Sequence, residues 1–237
     1  MILDVQELSY QFPNGFRALD SVSFSVQKGE LLVISGKNGS GKTVMLRCLK
    51  GLYRPRQGNI SLDRESFGLV FQDAESQIVG QTVEKDIAFG LENLGLGKEE
   101  IAKRVRRAME TLDLLDHAQQ RPRSLSGGEK RRLTIAGVLV MEPEIVALDE
   151  PFANLDYPGV IQVLEKIVML KEQGHTIILV THELDKVLAH ADRLMLLDAG
   201  RIRAVGPCAD VAHLAGECGV RIPLERIPLE EMTWLKD

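Results

Sequence analysis

The sequence lacks a long apolar run. None of its apolar stretches approaches the ~20 consecutive residues that a membrane-spanning helix needs. The first residues, Met1-Ile2-Leu3-Asp4, also lack the basic and apolar regions of an export signal. These absences argue against a membrane-spanning or exported chain, and we expect the protein to stay in the cytoplasm.

Positive charge and cysteine are both scarce. The net charge is -5 at pH 7, whereas proteins that bind nucleic acid nonspecifically usually carry a basic surplus on one face. We therefore expect no nucleic-acid partner. The three cysteines, Cys48, Cys208 and Cys218, are odd in number and lack metal-ligand spacing, so they indicate neither a disulfide framework nor a metal cluster. Cys48 lies in a predicted helix, where we expect a small core residue.

What is present is the composition of an ordinary globular protein. With 237 residues, 44% hydrophobic and 27% charged, the chain has the size of one large domain or of one domain with a subdomain. Residues 2–10 and 22–27 alternate apolar with polar side chains, and Asn14-Gly15 between them is a turn signal. The pattern predicts an antiparallel sheet at the N-terminal end.

Three short apolar runs predict a second sheet with parallel strands. Leu31–Ile34, Ile145–Leu148 and Thr176–Val180 are flanked by helical patterns, as expected for strands that are buried on both faces. We expect them to form the centre of an α/β core. The pattern between about residues 82 and 140 is helical instead, which predicts an α-helical subdomain inserted into that core.

Two helices can be predicted in more detail. Apolar residues at three- and four-residue spacing predict one amphipathic helix, namely Ile101, Val105, Ala108, Met109, Leu112 and Leu115. Asp156 with Pro158 predicts the start of another helix, and Gly174 predicts its end. The run Lys130-Arg131-Arg132 is interpreted as a solvated helix face.

A glycine-rich segment follows the first parallel strand and precedes a helical pattern. Its sequence is Gly36-Lys37-Asn38-Gly39-Ser40-Gly41-Lys42-Thr43, and the strand-loop-helix context is typical of a phosphate-binding P-loop. The backbone N–H groups of this loop can surround phosphate oxygens, Lys42 can reach the β- and γ-phosphates, and the Thr43 hydroxyl can bind Mg²⁺. The alternative is a glycine-rich turn with an exposed lysine, which the full pattern disfavours.

Two acidic residues follow the strand Ile145–Leu148. Asp149 is suited to hold Mg²⁺ directly or through water, and Glu150 can polarise an attacking water molecule. The pair alone could be a solvated loop. Because a P-loop precedes it, we interpret it as the catalytic part of a nucleotide site.

A second candidate for phosphate binding is Leu125-Ser126-Gly127-Gly128-Glu129. Ser126 and Glu129 have the spacing of a capping box, and Gly127 and Gly128 leave the first N–H groups of the helix bare. These patterns alone also fit an ordinary capped helix. The segment, however, resembles the signature motif of the ATP-binding-cassette (ABC) superfamily.

The resemblance extends from about residue 3 to about residue 206 and implies further roles. Gln72 matches the family's Q-loop glutamine, which touches Mg²⁺ or the attacking water, and His182 matches the switch histidine, which contacts the γ-phosphate. Asn154-Leu155-Asp156 resembles the D-loop, with Asn154 where the family usually has a small residue. An N-terminal aromatic residue is expected to stack on adenine; the spacing favours Phe12, with Tyr10 as the alternative.

The resemblance also implies a fold and a mechanism. The fold is that of a P-loop NTPase with an N-terminal antiparallel β subdomain, a parallel-sheet core and an inserted helical subdomain. Two subunits, identical or paralogous, would pair head to tail with ATP between the P-loop of one and Ser126, Gly127 and Gly128 of the other. ATP would close the dimer, and hydrolysis involving Glu150 would reopen it.

A more specific resemblance lies between the Q-loop and the signature motif. Phe71–Gln77, Thr82–Gly90 and Glu92–Leu96 closely resemble the ATPases of energy-coupling-factor importers, which take up vitamins and transition-metal ions. This similarity implies an integral-membrane coupling protein, a substrate-capture protein and a peripheral position on the cytoplasmic face of the membrane. Asp73, Glu75 and Gln77 would line or support the groove for the coupling protein. The alternative is a soluble ABC ATPase without a transport partner.

The C-terminal end is the least informative part. We expect residues 1–206 to form the ATPase domain and residues 207–237 a short extension. Ile222-Pro223-Leu224 and Ile227-Pro228-Leu229 are interpreted as extended apolar links. Residues 229–235 predict a short helix with the single tryptophan, Trp234, which either packs on the core or helps dimerisation.

Overall fold

Two sheets and the helices around them form the fold of the computed structural model, which describes residues 1–63, 66–222 and 227–235. The strands are β1 (Leu3–Gln11), β2 (Arg17–Val26), β3 (Leu31–Ser35), β4 (Gln57–Ser61), β5 (Phe67–Val70), β6 (Ile145–Asp149), β7 (Thr176–Val180), β8 (Arg193–Asp198) and β9 (Arg201–Pro207). The α-helices are α1 (Lys42–Lys50), α2 (Val83–Asn93), α3 (Lys98–Thr111), α4 (Gly127–Leu139), α5 (Tyr157–Glu172) and α6 (Cys208–Val211).

The smaller sheet is antiparallel, with the strand order β2-β1-β4. This confirms the antiparallel sheet predicted at the N-terminal end, although β2 begins at Arg17 rather than near residue 22. The turn before β2 contains Gly15 at φ 87°, and Asn14 accepts a hydrogen bond from the backbone of Phe16. Strand β4 was not predicted because it has a single large apolar residue, Ile60, among small and polar ones.

The larger sheet has the strand order β5-β6-β7-β3-β8-β9, parallel from β5 to β8 and antiparallel at β9. Strands β3, β6 and β7 occupy its centre, as the apolar runs predicted. Alternate side chains of each strand enter different cores: Val33 packs with helices α2 to α5, whereas Leu32 and Ile34 pack with α1 and the smaller sheet. Because β3 lies between β7 and β8 in the strand order, the loop after β3 leaves the sheet near its middle.

Helix α3 is shorter than the sequence pattern predicted. It ends at Thr111, and Asp113 adopts φ 53°, a left-handed conformation that stops the helix. Leu112 is still buried, but Leu115 lies in a separate 3-10 turn and is 41% exposed. The prediction of one helix through Leu115 is therefore wrong, because apolar spacing does not report the backbone break at Asp113.

Helices α4 and α5 begin as predicted. Ser126 and Glu129 form the capping box of α4, and Asp156 caps α5 by accepting a hydrogen bond from the Gly159 N–H at 3.0 Å. Gly174 follows the end of α5 at φ 87°. Cys48 is buried in α1, which confirms its prediction as a core residue.

The C-terminal part differs from its prediction. Residues 229–235 form only one 3-10 turn, Leu229–Glu231, rather than a helix through Leu235. Trp234 packs against the core. Pro223 and Leu224, two residues of the predicted apolar links, lie outside the described residues. In the described part of the chain, no helix combines the length and apolarity needed to cross a bilayer.

Candidate nucleotide site

The glycine-rich loop folds tightly between β3 and α1. Gly36 and Gly41 adopt φ 153° and 109°. A Cβ atom at Gly36 would lie 2.1 Å from the Leu197 carbonyl oxygen, and one at Gly41 would lie 2.5 Å from the Ala18 carbonyl oxygen. Because Gly41 precedes α1 and supplies no side-chain cap, the first N–H groups of this helix face the loop unpaired by a side chain. Such a helix start attracts anions.

Lys42 lies at the first position of α1 with its ammonium group folded back onto the loop. Its Nζ donates to the carbonyl oxygens of Gly36 at 2.6 Å and Lys37 at 3.1 Å. Burial lowers the pKa of Lys42, while the nearby Glu150 and Asp149 carboxylates oppose that change. The Lys42 ammonium group therefore lies where little water reaches it, and its attraction for a bound anion is only weakly screened.

Two buried polar atoms beside Lys42 have unused hydrogen-bonding capacity. Ser40 Oγ and Asp149 Oδ1 have no hydrogen-bond partner among the described residues. Burial raises the pKa of Asp149, and the nearby Thr43 hydroxyl partly opposes that change. The Asp149 carboxylate and the Thr43 hydroxyl are oxygen ligands of the kind that Mg²⁺ prefers.

Glu150 and His182 meet where β6 and β7 end. His182 Nδ1 lies 3.0 Å from Glu150 Oε1 and 3.1 Å from Oε2. The Glu150 side chain is 8% exposed and that of His182 is 53% exposed. Glu150 has φ 47°, a strained value for a residue other than glycine, and its N–H donates to the Val180 carbonyl oxygen at 2.9 Å. The backbone therefore holds the carboxylate in a defined direction.

One open cavity of about 340 Å³ collects most of the predicted site residues. Its lining includes Phe12, Asn38, Gly39, Gly41, Lys42, Thr43, Gln72, Glu150 and His182. Ser40 and Asp149 are buried next to this lining. The structure thus brings together, around a single cavity, five parts of the chain that lie far apart in the sequence: Phe12, the glycine-rich loop, Gln72, Glu150 and His182.

The aromatic side of the cavity distinguishes between the two candidate residues. Phe12 lines the cavity, whereas Tyr10 stacks on Tyr53 with ring centroids 5.1 Å apart. Phe16, which sequence reasoning missed, also lines the cavity, is 56% exposed and lies 6.3 Å from the Phe12 ring. The position of Phe16 directly after the Asn14-Gly15 turn was the signal in the sequence that could have identified it.

The signature residues lie elsewhere on the chain. The described residues that line the cavity do not include Ser126, Gly127 or Gly128. Ser126 accepts a hydrogen bond from the Glu129 N–H at 3.3 Å, and Glu129 accepts one from the Ser126 N–H at 2.7 Å. A Cβ atom at Gly127 would lie 3.1 Å from Leu155, which places the predicted D-loop against the start of α4.

Arg131 connects the helix of the signature motif with Gln72. Its guanidinium donates to the carbonyl oxygens of Phe71 and Gln72, both at 2.6 Å. Arg131 is 3% exposed and Arg132 is 6% exposed, so the interpretation of this run as a solvated helix face is wrong for both residues. The carbonyl partners offset the cost of burying the guanidinium, and they lie far away in the sequence, where no local pattern reports them.

The sequence is similar to known proteins over most of its length. The model of the ABC transporter family matches residues 19–153. The chain is 39% identical to an energy-coupling factor transporter ATP-binding protein EcfA of Methanococcus maripaludis, over 85% of this chain and 77% of the relative. It is 40% identical to the cobalt import ATP-binding protein CbiO of Rhodobacter capsulatus, over 94% and 86% of the two chains.

A solved structure extends the similarity to the fold. It is cbiO1 from Clostridium perfringens, described as part of the ABC transporter complex cbiONQ. The TM-score is 0.82 at 34% identity, over 94% of this chain and 96% of the other. The chain belongs to the ABC transporter family, among the ATPases of the energy-coupling factor type.

Proposed function

We propose that this chain hydrolyses ATP in a head-to-tail dimer whose closure and reopening energise uptake of a solute through membrane proteins. The observation that carries the proposal is the division of the site. One chain gathers Lys42, Thr43, Glu150 and His182 in a single cavity, whereas its signature residues lie outside the cavity lining. A second subunit, identical or paralogous, would supply Ser126, Gly127 and Gly128 to complete the site.

ATP would bind along the cavity from Phe12 to Lys42. Phe12 is placed to stack on adenine, and the loop Asn38 to Thr43 is placed to surround the phosphates with its backbone N–H groups. Thr43, Asp149 and Gln72 would hold Mg²⁺. When bound, the ion would neutralise charge on the β- and γ-phosphate oxygens. The unpartnered Asp149 Oδ1 supports this assignment.

Hydrolysis would depend on the pair formed by Glu150 and His182. Glu150 would accept a proton from the water that attacks the γ-phosphate, while His182 would hold the carboxylate and contact the phosphate. The 3.0 Å separation of His182 Nδ1 and Glu150 Oε1 supports a shared role. Closure by a second subunit would exclude bulk water and strengthen these interactions.

Coupling to membrane partners would use the surface beside Gln72. Glu75 lines a groove there and forms an ion pair with Lys130 at 2.5 Å. Gln77 supports the loop by accepting from the Phe71 N–H and donating to the Leu69 carbonyl oxygen. The neighbouring surface exposes Leu52, Val79 and Phe89. An integral-membrane coupling protein would dock here and keep the chain peripheral on the cytoplasmic face.

The transported solute would be captured by a separate membrane protein. The name of one relative, a cobalt import ATP-binding protein, supports a transition-metal ion as the solute, and the resemblance to energy-coupling-factor importers also implies vitamins as a solute class. The selectivity would reside in the capture protein, because the site described above recognises only the nucleotide.

The first test compares the wild type with Glu150→Gln in an ATPase assay, with light scattering in the presence of ATP and Mg²⁺. We expect the variant to lose at least about 100-fold in turnover and to accumulate as an ATP-dependent dimer. Glu165→Gln, at an exposed position on α5, is the matched control and should behave as wild type. Full turnover by Glu150→Gln would contradict the catalytic role of Glu150.

A second measurement tests transport. Affinity purification of the tagged chain from membranes should recover an integral-membrane partner, and Phe89→Glu on the exposed surface next to the groove should reduce that recovery. An active ATPase that recovers no membrane protein would favour the soluble ABC ATPase instead.

A further inference from the structure

The last described residues of the chain contact the segment that carries His182. This segment runs from Thr181 to Ala191 and contains two short 3-10 turns, Leu184–Lys186 and Leu188–His190. Such turns have few internal hydrogen bonds and depend on outside contacts. The contacts come from residues 232–234, which we name the C-terminal clasp.

The clasp forms four hydrogen bonds with the His182 segment. The Ala189 N–H donates to the Met232 carbonyl oxygen at 3.0 Å, and the Trp234 N–H donates to the Lys186 carbonyl oxygen at 3.3 Å. The Trp234 indole N–H donates to Asp185 at 3.2 Å, and Thr233 Oγ1 lies 2.7 Å from His190 Nε2. Met232 is fully buried and anchors the clasp in the core.

Lys186 lies at the centre of these contacts. It is buried, and its ammonium group lies 4.3 Å from the centre of the Trp234 ring and 5.7 Å from that of Phe152. It also forms an ion pair with Glu183, the residue after His182. A buried ammonium needs such compensation. The Trp234 ring is therefore part of the environment that keeps Lys186, and with it Glu183, in place.

The Trp234 indole also contacts the part of the chain that follows Glu150. The Tyr157 ring lies 5.3 Å from the Trp234 ring. Tyr157 is the first residue of α5, directly after the D-loop residue Asp156, and Phe152 lies two residues after Glu150. Trp234 thus bridges the segment after Glu150 and the segment after His182, without lining the nucleotide cavity in the described structure.

We propose that Trp234 is a positioning residue for ATP hydrolysis, which holds the His182 segment against the Glu150 segment so that the two side chains meet. This inference rests on the proposed roles of Glu150 and His182. Phe12 and the P-loop residues that would bind ATP form no hydrogen bond or ring contact with Trp234 among the described contacts. Loss of the ring should therefore affect turnover more than nucleotide affinity.

The test compares Trp234→Ala and Trp234→Phe with the wild type, in the assembly that supports wild-type ATPase activity. Trp234→Ala removes the ring over Lys186 and the contact with Tyr157, and we expect kcat to fall about tenfold with KM for ATP changed less than about twofold. Trp234→Phe keeps an aromatic face and should restore kcat to within about twofold of wild type.

Val168→Ala, on α5 and partly buried against the core, is the control for a general loss of stability. All variants are assayed well below their melting temperatures. A fall in kcat for Trp234→Ala beyond that of Val168→Ala, with rescue by Trp234→Phe, supports the proposal. Equal kcat for Trp234→Ala and wild type, or a loss that Val168→Ala reproduces, overturns it. Failure of the proposed function would show differently, as a wild type without ATP hydrolysis.

Discussion

The P-loop region and the signature region both place glycines at the start of a helix, but they use them differently. At the P-loop, Gly36 and Gly41 take up positive φ values and bring the start of α1 to a cavity that also contains Glu150 and His182. At the signature motif, Ser126 caps α4 itself, and Gly127 packs near Leu155. The first region gathers its residues within one chain, whereas we propose that the second offers its helix start to another subunit.

This difference explains why the role of the P-loop could be predicted from its local sequence, whereas the role of the signature segment could not. A P-loop is specified by its local context of strand, loop and helix, so its physical role could be predicted from residues 31–46 alone. The signature segment predicts only a capped helix by local physics, and the cap is what the structure contains. Its proposed role toward ATP depends on a second subunit and was predicted through family resemblance.

Breaking the P-loop should have the largest effect. In Gly36→Ala the new Cβ would lie 2.1 Å from the Leu197 carbonyl oxygen, so the loop must move. We expect nucleotide affinity to fall at least about 100-fold and the free energy of unfolding to fall by about 2–4 kcal/mol. Isothermal titration and urea unfolding measure both. Gly97→Ala, where φ is -67° and the surroundings are open, is the control and should leave affinity unchanged.

A charge at the signature motif should separate binding from turnover. Ser126→Asp keeps a good N-cap but places a carboxylate at the helix start. We expect ATP affinity of the single chain to stay within about twofold, while turnover falls about 100-fold because the carboxylate repels the partner's γ-phosphate. Ser126→Asn caps equally well without the charge and should lose much less turnover. Equal losses in the two variants would contradict a phosphate-facing role.

Arg131 links helix α4 of the signature motif to Gln72 in the lining of the cavity, and its substitution is expected to have an intermediate effect. Arg131→Gln shortens the side chain that joins α4 to the Phe71 and Gln72 carbonyl oxygens. We expect the free energy of unfolding to fall by about 1–3 kcal/mol, since buried carbonyl groups lose a charged donor. Arg106→Gln, which removes an exposed pair with Glu110, should cost less than about 0.5 kcal/mol. Similar losses in urea unfolding would contradict the structural role of Arg131.

The smallest expected effect concerns pH and Asp86, which lines the surface depression that also contains Val79 and Phe89. Burial raises the pKa of Asp86, although its carboxylate accepts hydrogen bonds from the Val79 and Gly80 N–H groups. A raised folded-state pKa means that its stabilising contribution is full below the unfolded value of about 3.9 and is lost as pH rises through the folded pKa.

Asp86→Asn keeps an acceptor for the same two N–H groups and removes the titration. Urea unfolding of both proteins from pH 4 to pH 8 should show the stability of the wild type falling relative to Asp86→Asn as pH rises. A relative gain of the wild type with rising pH would show that the hydrogen bonds, and not burial, dominate the pKa of Asp86.

Particular residues show where sequence reasoning succeeded and where it failed. The central strands and both capped helices were predicted because each follows from a local pattern, such as the apolar run Thr176–Val180 or Asp156 with Pro158. Arg131, Phe16 and the end of α3 were missed. Their positions depend on contacts with distant carbonyl groups, on the shape of a cavity and on a single left-handed residue, Asp113, none of which alters the periodicity of the sequence.

The most direct test of the account asks whether each ATP site combines two chains. Lys42→Ala would disable the P-loop, and Ser126→Asp would disable the signature motif. Each variant alone should be inactive. In co-assembled homodimers, one site would contain both substitutions and the other would contain neither. We predict that an equal mixture recovers about a quarter of wild-type turnover, since about half of the dimers are mixed and one of their two sites is intact. No recovery, in a mixture shown to contain mixed dimers, would contradict the shared site.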